Sequence, residues 1–295
     1  MVIREQKELD WTGERYVPQI RGAIALEHLH RYAFATEYVD GKDVLDIASG
    51  EGYGSEMIAR TAKHVYGVDI DQVSVEHAQL KYLRKNLQYQ VGSCTEIPLA
   101  DASVDVVVSF ETIEHITDHD MMMSEVKRVL RPGGILIISS PEKHGYSIAP
   151  QNINPFHLRE LNKNEFQELL KKYFQHTSYL AQRVIYGSVL IGEDGKTPAG
   201  KTYKFANLPE KIESQKGLAD PVYILAVCSD LAMCDVIGSL CEQQIQESQI
   251  CIDSMREIAK LKELIKEKES SLSWKITQPL RVIGEIMSSA KIFNK

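Results

Sequence analysis

Between residues 43 and 140 the chain alternates short apolar runs with helical periodicities. Segments 43–48 (DVLDIA), 64–69 (HVYGVD) and 104–110 (VDVVVSF) are apolar with little alternation, the pattern of strands covered on both faces. Helical patterns cover 54–62, 72–85 and 118–130, and a short strand falls near 87–91. Pro132-Gly133-Gly134 then turns the chain into a strand over 135–140. Downstream, Asn162-Lys163-Asn164-Glu165 has the spacing of a capping box and opens a helix that runs to residue 173. Strands near 174–180 and 222–227 complete the set, with an irregular excursion across 181–220. Strands alternating with helices predict an α/β fold: a doubly wound, mostly parallel, seven-stranded sheet.

The pattern changes after residue 239. Neither Gly nor Pro occurs between Ser239 and Gln278, where Gln, Glu and Lys dominate. Ile258, Ile265 and Leu272 recur every seven residues with Leu261 between the first two, a stripe narrower than the face of a globular-core helix. That predicts a self-associating or partner-binding helix through residues 240–272; a helix packed on the domain is the alternative. Residues 273–295 carry four basic residues and one acidic residue beside apolar Trp274, Ile276, Leu280, Ile283 and Ile286. Such a tail suits docking on a partner or peripheral contact with the inner face of a membrane, against the alternative of packing back on the domain. The expected organisation is an N-terminal lid over 1–40, a sheet domain over 41–230, an amphipathic helix over 231–272 and a basic apolar tail.

Composition narrows the function classes. With 43% hydrophobic and 25% charged residues, the chain has enough apolar content for a real core, which excludes wholesale disorder. A formal charge of −7 leaves no general basic footprint, so a nucleic-acid partner is not expected. The first residues are charged and lack an apolar run, so no secretory signal is expected. The five cysteines form no Cys-x-x-Cys pair, and a reduced, cytosolic protein is the simplest expectation.

Candidate chemistry begins at the end of the first strand, in Val44-Leu-Asp46-Ile-Ala48-Ser-Gly50-Glu-Gly52-Tyr-Gly54. Closely spaced small residues let the backbone approach a ligand where a Cβ would collide. Glycines at alternate positions do not fit the Gly-x-Gly-x-x-Gly spacing of a pyrophosphate loop, and Asp46 favours a ligand carrying an ammonium. Asp69 ends the second strand, where a carboxylate can accept from both ribose hydroxyls; a helix or turn cap is the alternative.

These residues resemble the class I S-adenosylmethionine-dependent methyltransferases, a Rossmann-like family, in the broad group that includes the ubiquinone-pathway enzymes. The resemblance covers about residues 12–230. The family pattern is Asp-x-Gly-x-Gly-x-Gly, and this chain keeps Asp46, Gly50 and Gly52 but has Ala48 at the first glycine. A methyl group there is compatible with binding where the backbone avoids positive φ. The resemblance implies S-adenosylmethionine as cofactor, with Asp69 on the ribose and Ile70 beside the adenine. It further implies Ser93 and Cys94 at the adenine edge and Phe110 at the cofactor face.

Directly after the apolar strand come Glu111, Glu114 and His115, at i, i+3 and i+4. On a helix they would share a face and could hold a divalent cation such as Mg2+, with His157 as a further ligand. Two other readings stay open. His115 or His157 could act as a general base without metal, or the acidic residues could simply favour a helix N-terminus with His115 in the core. The Glu-x-x-Glu-His pattern with a distant His resembles the metal site of small-RNA 2′-O-methyltransferases. Tyr16 and Arg31 are expected to close over the cofactor as part of the lid, Arg31 pairing the methionine carboxylate. The alternative is an ordinary helix with a Glu27–Arg31 pair.

Two strings bear on substrate. Thr12-Gly-Glu-Arg-Tyr-Val-Pro18 and Asn154-Pro-Phe-His-Leu-Arg-Glu-Leu161 look like methyltransferases encoded among bacterial surface-polysaccharide enzymes. Segment 273–281 is similar to one shared by proteins of those clusters, glycosyltransferases included. The resemblance implies O-methylation of a sugar, on a nucleotide- or lipid-linked precursor or a growing glycan. A quinone or other metabolite acceptor is the rival within enzymology, and a non-catalytic scaffold acting through the helix the rival outside it.

Overall fold

A computed structural model of the chain describes residues 15–146, 154–185, 200–206, 211–242 and 248–277, with single positions 9, 244 and 280. It divides into two compact units, Met1–Glu242 and Gln243–Lys295.

The first unit is built on a seven-stranded sheet. In chain order its strands are β1 (Asp43–Ile47), β2 (His64–Asp69), β3 (Leu87–Val91), β4 (Val104–Ser109), β5 (Leu130–Pro141), β6 (His176–Gln182) and β9 (Tyr223–Ser229). Their spatial order is β3-β2-β1-β4-β5-β9-β6, parallel except for β9, which runs antiparallel to both neighbours. The chain starts in the middle at β1, winds outward through β2 and β3, then crosses back to β4. That reversal of winding opens a crevice at the carboxyl ends of β1 and β4, where sheets of this kind take ligands.

Both faces are covered, as the unbroken apolar strands require. Helices α1 (Ala23–Thr36), α2 (Tyr53–Ile58) and α3 (Gln72–Lys81) cover one face, with a core including Tyr32, Ile58, Val106 and Val108. Helices α4 (His119–Val129) and α6 (Lys163–Tyr173) cover the other, over Leu45, Val107, Met122, Phe166 and Leu170, and a one-turn α5 (Lys143–Tyr146) follows β5. α6 opens with the expected capping box: Asn162 accepts from Glu165 N, and Glu165 reaches back to Asn162 N.

Several bounds differ from the sequence reading. α2 stops at Ile58 rather than 62. The Asn86 side chain donates to the carbonyls of Ala59 (2.8 Å) and Ala62 (2.9 Å), which satisfies groups a longer helix would have used. β5 already begins at Leu130 and runs through the Pro-Gly-Gly segment, with a register shift against β4 between Val104 and Val106. The excursion across 181–220 contains an antiparallel hairpin, β7 (Lys201–Ala206) with β8 (Lys211–Lys216), outside the main sheet.

In the second unit the helix is shorter than 231–272. Residues 231–242 are not helical, and α7 spans Gln249–Ser270, opened by the Ser248 hydroxyl accepting from Cys251 N at 3.3 Å. Ser271 has an extended backbone, ends α7 and caps a short α8 (Leu272–Ile276). Leu272 therefore lies beyond the helix that carries the rest of the stripe. Ile283, Ile286 and most of the basic tail lie outside the described residues, as do Thr12, Gly13 and Glu14. Among the described residues no helix is long and apolar enough to cross a membrane.

Candidate active site

A cavity of about 400 Å³ occupies the crevice. Its floor is the turn after β1. Ala48 and Gly50 both take left-handed backbone, φ +62° and +56°, and Gly52 follows at φ +98° as the N-cap of α2. A Cβ on Gly52 would lie 2.8 Å from both the Ala78 methyl and the Tyr89 hydroxyl. The turn is thus held against α3 and β3 as tightly as its glycines allow. Glu51, fully buried, ties it further by accepting from Lys81 Nζ at 2.8 Å and the Tyr82 hydroxyl at 2.7 Å.

Asp46 sits beneath this turn and does not line the cavity. It is fully buried and accepts from Ser55 Oγ at 2.6 Å and the Tyr32 hydroxyl at 3.1 Å. Burial pushes its carboxyl up to about 7, against the pull of those two hydroxyls. Its place corrects the expectation of direct contact with a bound ammonium: Asp46 braces the floor.

Asp69 does reach the cavity. Its Oδ2 accepts from Gly50 N at 2.7 Å and its Oδ1 from Asp71 N at 2.9 Å. Each oxygen keeps a second lone pair, so the carboxylate is fixed in orientation and able to accept from two vicinal hydroxyls. Ile70, largely exposed, and the Ser93–Cys94 pair line the same end. These positions fit a nucleoside: a carboxylate for the ribose between apolar and small polar walls for the base.

Arg15 and Tyr16 also line the cavity. Arg15 pairs with Asp71 at 2.6 Å. Tyr16 stacks on His28 with ring centroids 5.3 Å apart and meets Tyr53 edge-on at 5.0 Å. His28 Nδ1 bonds the Tyr53 hydroxyl at 2.9 Å, and burial beside Arg31 holds its imidazole well below the usual range, hence neutral.

Arg31 is placed differently from the expectation. It is 2% exposed and does not line the cavity. Its guanidinium donates to Gln182 Oε1 at 2.9 Å, lies 4.7 Å from the centre of the Tyr223 ring and 3.8 Å from Glu111. In this arrangement Arg31 pairs with Glu111 rather than lining the cavity where a methionine carboxylate was expected to meet it.

At the end of β4, Phe110 lines the cavity and packs edge-on against Tyr32 at 5.0 Å. Glu111 follows with φ +52°, then a 3-10 turn over Ile113–His115. The left-handed residue breaks the helical phase, so Glu111 does not share a face with Glu114 and His115 as i, i+3, i+4 spacing suggests. It turns toward β5, accepting from Ser139 Oγ at 2.6 Å. His115 lines the cavity, its Nδ1 3.1 Å from the Phe156 carbonyl. His157 and Glu160 stand beside it, Nδ1 to Oε1 at 2.6 Å, with the two imidazoles 5.1 Å apart and edge to face. A carbonyl or carboxylate can only accept, so each Nδ1 carries a hydrogen, and the neutral tautomer this selects has its lone pair on Nε2.

Glu114 completes a group of three: one ligand atom each from Glu114, His115 and His157 lie within 4.8 Å of one another. Glu114 is 1% exposed, and its Oε2 has no hydrogen-bond partner among the described residues. Burial and the nearby Glu111 hold its carboxyl well above the usual range. The candidate metal set is therefore Glu114, His115 and His157 without Glu111.

Of the residues singled out in the sequence, Tyr16, Ala48, Gly50, Asp69, Ile70, Ser93, Cys94, Phe110, Glu111 and His115 line this one cavity, while Arg31, Asp46, Gly52, Glu114 and His157 do not. Sequence reasoning missed Arg15, His28, Tyr53 and Phe156, which also line it.

Residues 45–138 match the family described as a methyltransferase domain. The chain is 42% identical over 173 residues to a probable S-adenosylmethionine-dependent methyltransferase of Mycolicibacterium smegmatis, covering 55% of this chain and 64% of that protein. A similarly named protein of Mycobacterium tuberculosis is 40% identical over 165 residues, covering 55% of this chain and 60% of that one. The chain therefore spans less than two thirds of these relatives' length. A ubiquinone biosynthesis O-methyltransferase of Mesorhizobium japonicum matches more narrowly, 32% identical over 34% of this chain and 41% of its own. Among solved structures, the YcgJ protein of Bacillus subtilis superposes with a TM-score of 0.51 at 17% identity, over 70% of this chain and 100% of that one. A chain from the complex of the Haloferax volcanii Trm112 methyltransferase activator with a methyltransferase gives 0.51 at 18%, over 70% and 92%. Residues 45–138 thus resemble a methyltransferase domain, and the chain has the Rossmann-like fold of the class I methyltransferases.

Proposed function

We propose that the chain transfers a methyl group from S-adenosylmethionine to a hydroxyl, and that the acceptor is a sugar in surface-glycan assembly. The observation that carries the reading is that the Asp69 carboxylate at the end of β2 and the His115 imidazole after β4 line the same cavity, on either side of β1. S-adenosylmethionine supplies a methyl already activated on a sulfonium. The protein's work is then to align the acceptor, exclude water and receive one proton. Arg15 and Tyr16 cover the nucleoside end. His115, oriented by the Phe156 carbonyl, takes the acceptor's proton on Nε2 as the oxygen bonds to the methyl and the carbon–sulfur bond breaks.

The sugar assignment rests on the mouth beside His115. Phe156 offers a half-exposed aromatic face there, and Glu111 adds an acceptor. A ring with apolar CH faces and hydroxyl edges fits that pairing. The resembling strings support the same acceptor, since they supply Arg15 and Tyr16 on one side and Phe156 and His157 on the other.

A metal-assisted version is favoured by the partnerless Glu114 oxygen beside His115 and His157. These three would hold a divalent cation, Glu114 giving up its proton, and the cation would lower the cost of ionising a sugar hydroxyl.

Calorimetry with S-adenosylmethionine, then transfer of labelled methyl to a panel of sugar nucleotides with a catechol for comparison, tests the proposal. Micromolar-range binding and labelling of a sugar, reduced at least about a hundredfold in His115→Ala, are expected. Cofactor binding with labelling of the catechol alone would replace the sugar by a quinone-type acceptor. No cofactor binding would end the methyltransferase reading. Activity that survives exhaustive chelation, with no metal found in the protein, would remove the cation.

A further inference from the structure

Helix α7 carries an apolar stripe that lies in solvent. Ile258, Leu261 and Ile265 are each more than half exposed. Placing Ile258 and Ile265 at the a positions of a heptad puts Leu261 at d and Cys251 at the preceding a. β-branched residues at a with Leu at d favour two parallel strands over higher assemblies.

The flanks agree with that geometry. In a parallel pair, each g residue faces the e residue of the next heptad on the other helix. Here Glu257 occupies g and Lys262 the following e, so two symmetric copies place opposite charges together twice. The next such pair, Leu264 and Glu269, brings no like charges together. Lys268 would sit at d and close the seam, and its ammonium is drawn aside over the Trp274 ring, 5.1 Å from the centre.

We propose that α7 pairs with α7 of a second copy of this chain, parallel and in register, through Ile258, Leu261 and Ile265. The proposal is independent of the methyltransferase reading: α7 contributes none of the residues that line the cavity. It fixes one further contact. Cys251, at an a position, faces its own copy across the seam, where Cα atoms fall within the roughly 4.4–6.8 Å that a disulfide spans. Antiparallel helices would carry the two thiols to opposite ends.

The test uses the full chain. Sedimentation equilibrium is expected to give a dimer, which Glu257→Lys weakens about tenfold and the combined Glu257→Lys, Lys262→Glu exchange restores. Mild oxidation with glutathione disulfide is expected to yield a covalent dimer that persists in Cys234→Ser and disappears in Cys251→Ser. A single-chain mass at the highest soluble concentration would overturn the proposal. So would a dimer indifferent to charge reversal, or one whose Cys251 thiols do not cross-link. The circular dichroism of each variant separates loss of pairing from loss of the helix.

Discussion

Ala48 holds φ +62° at the tip of β1, a conformation in which a Cβ crowds the backbone. The methyl group is therefore a strained feature of the turn after β1, and the condition of a backbone outside positive φ is not met there. Ala48→Gly relieves that crowding and gains chain entropy in the unfolded state, two effects of opposite sign. The net expectation is a gain of about 0.5–1 kcal/mol, read in denaturant melts, with affinity for S-adenosylmethionine unchanged. A less stable variant would mean the methyl packs usefully. Two residues earlier, Asp46 gives a pH signature. Its folded carboxyl titrates at about 7 against 3.8 for the free group, so its ionisation is disfavoured by folding. The stability it allows is complete below about 3.8 and declines as pH rises to about 7. Glu27, raised by burial to about 7, declines over much of the same window. Subtraction isolates Asp46: Asp46→Asn is expected to flatten part of the slope, gaining on the wild type as pH rises. Parallel pH profiles for the two proteins would show that the carboxylate is not disfavoured.

At the scale of elements, what was legible in the sequence is what is encoded locally. The inner strands β1, β2 and β4 fall within a residue of their apolar runs, because burial on both faces demands an unbroken pattern. The Asn162 capping box was legible for the same reason, its partners being three residues apart. Features fixed by distant partners were not. The end of α2 depends on Asn86, and the burial of Arg31 depends on Gln182 and Tyr223. Arg15 was passed over because its partner Asp71 is 56 residues away. The turn at Glu111 was not legible because a charged residue at φ +52° has no local signal, yet that single dihedral separates Glu111 from the cluster of Glu114, His115 and His157. The β7–β8 hairpin escaped because lysines interrupt its apolar positions (KTYKFA, KIESQK), leaving no buried run to read.

At the scale of the whole molecule, catalysis and association are assigned to separate stretches of chain. The cavity is lined by residues between Arg15 and Phe156, all in the first unit, while the proposed seam lies on α7 in the second. If the two are energetically independent, a substitution in the seam changes assembly and nothing at the crevice. Ile258→Asp places a charge at the centre of the seam and is expected to make the protein monomeric. Its affinity for S-adenosylmethionine should match the wild type by calorimetry, and so should methyl transfer per chain. Linkage supplies a second, reciprocal reading: any effect of dimerisation on cofactor affinity must appear as an equal effect of cofactor on dimerisation. The dimer dissociation constant is therefore expected to be the same with and without saturating S-adenosylmethionine. A shift in either quantity must be matched by the other, and its size would be the coupling free energy between crevice and helix. In that case the C-terminal helix regulates the proposed methyl transfer in addition to pairing two copies.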